Sequence, residues 1–236
     1  MAQLGNGLCR RGGFLGCAFM KKLLLATRNL HKVEEIRKML AGVMECQSLR
    51  EFPGAPEVVE DAATFEGNAL KKANGLSAWL ETQDAVMSPL PDYVLADDSG
   101  LEVDAINGAP GVVSARFAAL DVGDDGNSSD ADNNAKLLRL LADAPVEKRT
   151  ARFRCVIALV PVNPQSTNHD SQCFEGACEG VIGFEARGQN GFGYDPLFLP
   201  EGCEQTFAEL GEDTKNRISH RSKALQKMKT ALAPSG

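Results

Sequence analysis

The chain of 236 residues has one tryptophan, two tyrosines and three histidines, and its seven cysteines are an odd number. No two of them form a C-x-x-C pair, and the nearest, Cys173 and Cys178, sit within one apparent strand. Both facts argue against a disulfide framework or a thiolate zinc site, and reduced thiols in a cytoplasmic setting are the simpler expectation. No apolar run approaches the ~18–20 residues needed to cross a bilayer, so no membrane partner is expected. An excess of positive charge is also missing: 25 Lys and Arg against 32 Asp and Glu leave a net charge of −7. That balance disfavours nucleic acid as the main partner but leaves anionic small molecules open, because a local basic pocket or a bound cation can offset the global sign. The glycine-rich G-x-x-x-x-G-K-[ST] phosphate loop is absent, and no internal repeat is found.

What the chain does have is a globular composition, 43% hydrophobic and 24% charged, enough to bury a sizeable core. Residues 1–19 carry two arginines before an apolar patch, Phe14 to Phe19, that is too short and glycine-interrupted for a secretory signal. Met20 opens MKKLLLAT, so 1–19 are expected to be a disordered extension or a start-site artefact, and 20–236 a single domain.

The run LLLA from Leu23 to Ala26 suits a buried strand. From Lys32 onward, Val33, Ile36 and Leu40 recur at helical spacing, which makes TRNLHK a strand-to-helix turn. A second helix is predicted through TFEGNALKKANGLSAWL, with Phe65, Ala69, Ala73 and Leu76 on one face. YVLADDSGLEVDAI reads as two strands or one kinked strand around an acidic bend at Asp97 to Gly100. Ser129 or Asp132 can cap a third helix bearing Leu137, Leu138 and Leu141. ARFRCVIALVPV and QCFEGACEGVIGFEA then form a hairpin, and Ile218 to Leu232 is a basic amphipathic helix. Strands and helices interleave, which gives an α/β fold with a mixed sheet.

Four constellations can carry chemistry. Thr27, Asn29 and Lys32 stand at a helix N-terminus, where free N–H groups and a partial positive charge attract anions; the alternative is that Asn29 only caps the helix. Asp97 and Asp98 in ADDSGLEVD follow an apolar run and can divide the tasks of holding a cation and orienting a water, a pattern suited to Mg²⁺; the alternative is an exposed turn. GQNGFGYDP sets Phe192 and Tyr194 beside flexible backbone and Asp195, a base-binding wall or else a turn docked in the core. KNRISHRSK gathers Lys215, Arg217, His220, Arg221 and Lys223, either as a pocket or as a solvated basic face.

In order, T-x-N-x-x-K (Thr27 to Lys32), TFxxNAxxKA (Thr64 to Ala73), ADDSGLxVD (Ala96 to Asp104), GAPGxxSAR (Gly108 to Arg116), GFGYDPxF (Gly191 to Phe198) and SHR (Ser219 to Arg221) resemble the inosine triphosphate pyrophosphatase family, nearest to its bacterial branch. The resemblance implies an elongated mixed sheet with flanking helices, two lobes around a central nucleotide cleft, and a homodimer. It also implies hydrolysis of dITP, ITP and XTP to the monophosphate and pyrophosphate. By carry-over, Thr27, Arg28, Asn29, Leu30, His31 and Lys32 hold the phosphates with Lys72. Asp98 binds the catalytic Mg²⁺ and serves as general base with Asp97 beside it, and Glu60 is the second metal ligand. Ser99 touches substrate, and Phe192, Gly193, Tyr194, Asp195, Lys215, His220 and Arg221 form the base pocket. One departure stands out: the branch reads T-F-x-E-N-A, whereas this chain has Gly67 before Asn68 and Glu66 one place earlier, which makes Glu66 the reserve ligand. Two rival readings are a septum-protein-like pyrophosphatase for other bases and a non-catalytic purine-nucleotide-binding module.

Overall fold

The computed structural model describes residues 20–83, 89–124, 126–162 and 171–233. The extension expected at 1–19 lies outside that range, as do His169 and most of the hairpin loop. One sheet of six strands runs in the order β2-β1-β3-β4-β5-β6. Its members are β1 (Lys22–Leu25), β2 (Glu45–Ser48), β3 (Tyr93–Val103), β4 (Thr150–Pro161), β5 (Gln172–Ile182) and β6 (Phe198–Pro200). β1 pairs parallel to both β2 and β3, while β3 to β6 pair antiparallel, so the sheet is mixed as expected.

The helices are α1 (Leu30–Leu40), α2 (Phe65–Glu81), α3 (Asp130–Leu140), α4 (Phe207–Leu210), α5 (Glu212–Ile218) and α6 (His220–Leu232). β2 and β3 flank β1 on opposite sides, so the two right-handed crossovers deliver α1 and α2 to opposite faces of the sheet. α2 packs Phe65, Ala69, Ala73, Leu76 and Leu80 onto Val94, Ala96, Val156 and Ala158. On the other face, Val33, Ile36 and Leu40 of α1 and Ala224, Leu225 and Met228 of α6 cover Leu95, Cys155 and Ile157. Each fully buried leucine there contributes roughly 2 kcal/mol through area removed from water.

Several expectations are corrected or sharpened. β3 is one continuous strand without a bend at Asp97, because the antiparallel β4 pairs it from Tyr93 to Val103 and its acidic residues find partners on both faces. β2 escaped notice because ECQS has no apolar alternation and lies at the sheet edge. The basic helix expected from Ile218 to Leu232 starts at His220: Ile218 ends α5, and Ser219 between them caps α6, its side chain accepting from the Ser222 N–H. Finally, α1 begins at Leu30 rather than Lys32, with Asn29 as its cap. Ser129, not Asp132, caps α3.

Candidate active site

β1 stops at Leu25 while β3 runs on to Val103, leaving a notch beside β3 at the carboxyl ends of the parallel strands. Open α/β sheets hold ligands in such a notch, where neighbouring crossovers leave in opposite directions. Thr27 to Lys32 turns through it. Asn29 Oδ1 accepts from the Lys32 N–H at 3.2 Å, and Thr27 Oγ1 accepts from the Asn29 N–H at 3.1 Å. The expected capping role of Asn29 is thus real, while the first-turn N–H groups of Leu30 and His31 have no helical acceptor.

Because side chains alternate along a strand, Asp97 faces α1 and α6 and Asp98 faces α2. Asp97 is fully enclosed. Its Oδ1 accepts from Lys32 Nζ at 2.6 Å and Ser99 Oγ at 2.8 Å. Its Oδ2 accepts from Arg221 Nε at 2.8 Å and Cys155 Sγ at 3.1 Å. Burial would raise its pKa, but the charges of Arg221 and Lys32 outweigh burial and hold it well below the usual carboxylate range.

On the opposite face Lys72 Nζ sits among three oxygens: Glu60 Oε2 at 2.8 Å, Asp97 O at 3.0 Å and Asp98 Oδ1 at 3.2 Å. Asn68, one turn earlier on α2, donates to Asp98 Oδ2 at 3.3 Å and accepts from the Ala62 N–H at 2.9 Å, so it ties the acidic loop to the strand. Burial pushes the Asp98 carboxyl up; Lys72 and Lys32 oppose this and the charge of Glu60 adds to it. Glu60 moves the other way, since Lys72 more than offsets its burial. Gly67 has a local reason as well: a Cβ there would stand 2.8 Å from the Ala62 Cβ, so glycine lets the acidic loop lie against the start of α2.

Next to Asp97 opens a cavity of about 130 Å³ whose lining includes Asn29, Lys32, Ser99, Phe192, Lys215 and Arg221. The Phe192 ring stacks on His31 with centroids 5.3 Å apart, and Lys215 Nζ lies 4.6 Å from the Phe192 centroid. Lys215 also bridges Asp195 Oδ2 at 2.6 Å and Glu35 Oε1 at 2.7 Å, and Glu35 pairs in turn with Arg221. His220 stacks on Phe153 at 4.8 Å, and its Nδ1 has no partner among the described residues. Burial, aided by the adjacent Arg221 charge, keeps its imidazole neutral. The reading of KNRISHRSK as a solvated face therefore fails for Lys215, His220 and Arg221, all buried.

The Ham1 family model matches residues 23–231, nearly the whole described chain. The chain belongs to the Ham1 family. It is 50% identical to the dITP/XTP pyrophosphatase of Desulforamulus reducens over 207 residues, covering 87% of this chain and 92% of that protein. It is 46% identical to the dITP/XTP pyrophosphatase of Exiguobacterium sibiricum over 212 residues, covering 89% and 96%. Among solved structures, the Ham1 protein of Staphylococcus aureus superposes with a TM-score of 0.72 at 33% identity, over 90% of this chain and 98% of that one.

In this Ham1 chain most of the residues singled out in the sequence converge on the notch and its cavity. Two do not. Arg28 is exposed and donates to the Ala55 carbonyl at 3.1 Å, and Glu66 is exposed beside Cys173. Leu30 is also largely exposed, at 44%. Sequence reasoning missed Glu35, which bridges two cations of the cavity, Asn68, which touches Asp98, and Cys155, which touches Asp97. Asn68 stood inside a quoted motif one helical turn before Lys72, and that spacing was the available signal. No helix among the described residues is long and apolar enough to cross a membrane.

Proposed function

We propose that this chain hydrolyses deaminated purine nucleoside triphosphates, dITP, ITP and XTP, to the monophosphate and pyrophosphate; its relatives carry the name dITP/XTP pyrophosphatase. The observation that carries the reading is the Lys72 ammonium held by three oxygens, Glu60, Asp98 and the Asp97 carbonyl, beside a cavity with an aromatic wall. Residues 20–236 act as one two-lobed unit, and the protein works as a cytoplasmic homodimer.

Among the described residues no cluster of three His, Cys, Asp or Glu side chains could hold a metal. The Asp98 and Glu60 carboxylates still fit Mg²⁺, which takes one or two carboxylates and completes its shell with water and substrate phosphates. The positive charge of Lys72 between these hard oxygens already marks the place where they accept a cation. Bound there, Mg²⁺ would offset the repulsion between these carboxylates and the phosphates and lower the pKa of a water.

The chain's own residues then have distinct tasks. Asp98 orients the attacking water toward the α-phosphorus and takes its proton as the new P–O bond forms and the bond to the β-phosphate oxygen breaks. Lys72, Lys32 and the free N–H groups of α1 stabilise the charge that collects on pyrophosphate. The cavity takes the base. Hypoxanthine and xanthine offer a 6-oxo acceptor and an N1–H donor, which Lys215 or Arg221 and Asp195 or backbone groups can match. Adenine inverts that pattern and would leave buried groups unpaired, a mismatch that can reach ~10⁴–10⁵ in discrimination.

The test is pyrophosphate release from dITP, ITP, XTP, GTP, ATP, dTTP and UTP, with and without Mg²⁺. Fast release from the first three alone, and only with the divalent cation, is expected. Orthophosphate as the product, or a preference for dTTP or UTP, would overturn the substrate reading. Light scattering on the eluting protein checks the dimer.

A further inference from the structure

We infer that the first turn of α3 is a positioning device for the aromatic wall of the cavity, acting through one peptide, that of Gly193; its catalytic consequence rests on the reading that this cavity takes the base. Asp130 Oδ2 accepts from the Gly193 N–H at 2.6 Å. Asn134, four residues on and so on the same side of the helix, donates from Nδ2 to the Gly193 carbonyl at 3.0 Å. Both polar groups of one residue are taken by one helix.

Gly193 separates Phe192 from Tyr194 and has φ +62°, in the left-handed region that costs a side-chain-bearing residue strain. Between the two clamping residues stands Asn133. Its Oδ1 accepts from the Ala118 N–H at 2.8 Å, and its Nδ2 donates to the Ala115 carbonyl at 3.2 Å. The same turn thus secures the segment that follows β3 on the other side of the cavity. The helix itself is anchored by its Ser129 cap and by Leu137, which is fully buried.

None of these contacts reaches Asp98, Glu60 or Lys72. Loosening the clamp frees Phe192 from its contacts with His31 and Lys215 while leaving Asp98, Glu60 and Lys72 in place. The expected signature is therefore a change in base affinity and discrimination with the chemical step largely spared.

Two measurements on the full chain test this. Hydrogen exchange by mass spectrometry, without nucleotide, should show faster exchange at 190–196 in Asp130→Ala and Asn134→Ala than in wild type, with β3 unchanged. In steady-state kinetics, each variant should raise KM for ITP about tenfold, the effect of losing one charge-assisted or buried hydrogen bond, with kcat within about threefold. The ratio of kcat/KM for ITP over ATP should fall alongside. Asp130→Asn, which keeps an acceptor for the Gly193 N–H, should restore most of KM and the exchange protection. Unchanged exchange at 190–196, a loss confined to kcat, or an Asp130→Asn variant no better than Asp130→Ala would overturn the inference. If wild type turns over no purine nucleotide, the substrate reading fails, while the exchange data alone decide whether the clamp exists. Should Asp130→Ala not fold, Asn134→Ala carries both measurements.

Discussion

Asp97 and Asp98 are the same residue type, adjacent on one strand, and their surroundings could hardly differ more. On the α6 face, Asp97 has lysine, arginine, serine and thiol donors on its carboxylate, and its pKa is held well below the ordinary range. On the α2 face, Asp98 has Asn68 and one shared ammonium, and burial pushes its pKa up. The difference comes from the alternation of β3 and from which helix each crossover delivers to which face. A carboxylate surrounded by donors is an anchor, whereas one left short of donors has capacity for a cation and a proton. Asp97 therefore holds Lys32 and Arg221 in place, and the proposed function assigns the chemistry to Asp98.

The largest effect should come from the second face. Asp98→Asn is expected to lower kcat about 10³-fold while sparing nucleotide binding by calorimetry, as loss of a positioned base does. Wild-type-like turnover would erase the contrast between the two faces. Asp97→Ala should instead show up in folding. It takes the carboxylate from part-buried Lys32 and leaves buried Arg221 with Glu35 alone, and removing one partner of a buried ion pair costs about 3–5 kcal/mol, readable by urea denaturation. A loss under about 1 kcal/mol would mean that the cage is ornamental.

Glu35 sharpens the same side. Burial raises its pKa, but Arg221 and Lys215 outweigh burial and lower it beneath the ordinary 4.5. A depressed carboxylate pKa gives stability that is fully present above the unfolded value and lost as pH falls through the folded one. Glu35→Gln should thus cost about 2 kcal/mol at neutral pH, with the gap from wild type closing in acid. A gap that widened in acid would reverse the sign and refute the pairing. Lys215→Ala should reduce kcat/KM for ITP about tenfold without altering the Mg²⁺ concentration dependence, through loss of a charged hydrogen-bond donor. An equal loss for every nucleotide would assign it a structural role. The smallest effect belongs to Glu66→Ala, within about twofold of wild type because that side chain is exposed. A large loss there would restore Glu66 as a ligand.

Much of this was legible in residue order. The apolar spacing of Val33, Ile36 and Leu40, and of Phe65, Ala69 and Ala73, foretold the faces that the helices bury. The motifs foretold which polar residues would meet. Glu35 stayed hidden because it lies at the edge of the buried arc of α1, and its partner Lys215 is 180 residues away. Cys155 looked like one more core residue in a β-rich run, and only pairing with Ser99 in the adjacent strand puts its thiol next to Asp97. The continuity of β3 was missed for a different reason: Asp-Asp-Ser-Gly favours turns locally, and tertiary pairing with β4 overrides that preference.

The brevity of β1 has a final consequence. Leu25 lies opposite Leu95, the Ala26 N–H reaches the Leu95 carbonyl at 2.7 Å, and the Thr27 N–H then folds back onto Leu25. Had the strand kept its course for two more residues, the N–H of Arg28 would have closed on the carbonyl of Asp97, the atom that Lys72 occupies at 3.0 Å. The gap in the ladder is therefore as informative as any side chain. A strand four residues long leaves an acceptor vacant that a strand of six would seal, so lengthening it would strengthen the sheet and close the door on the lysine.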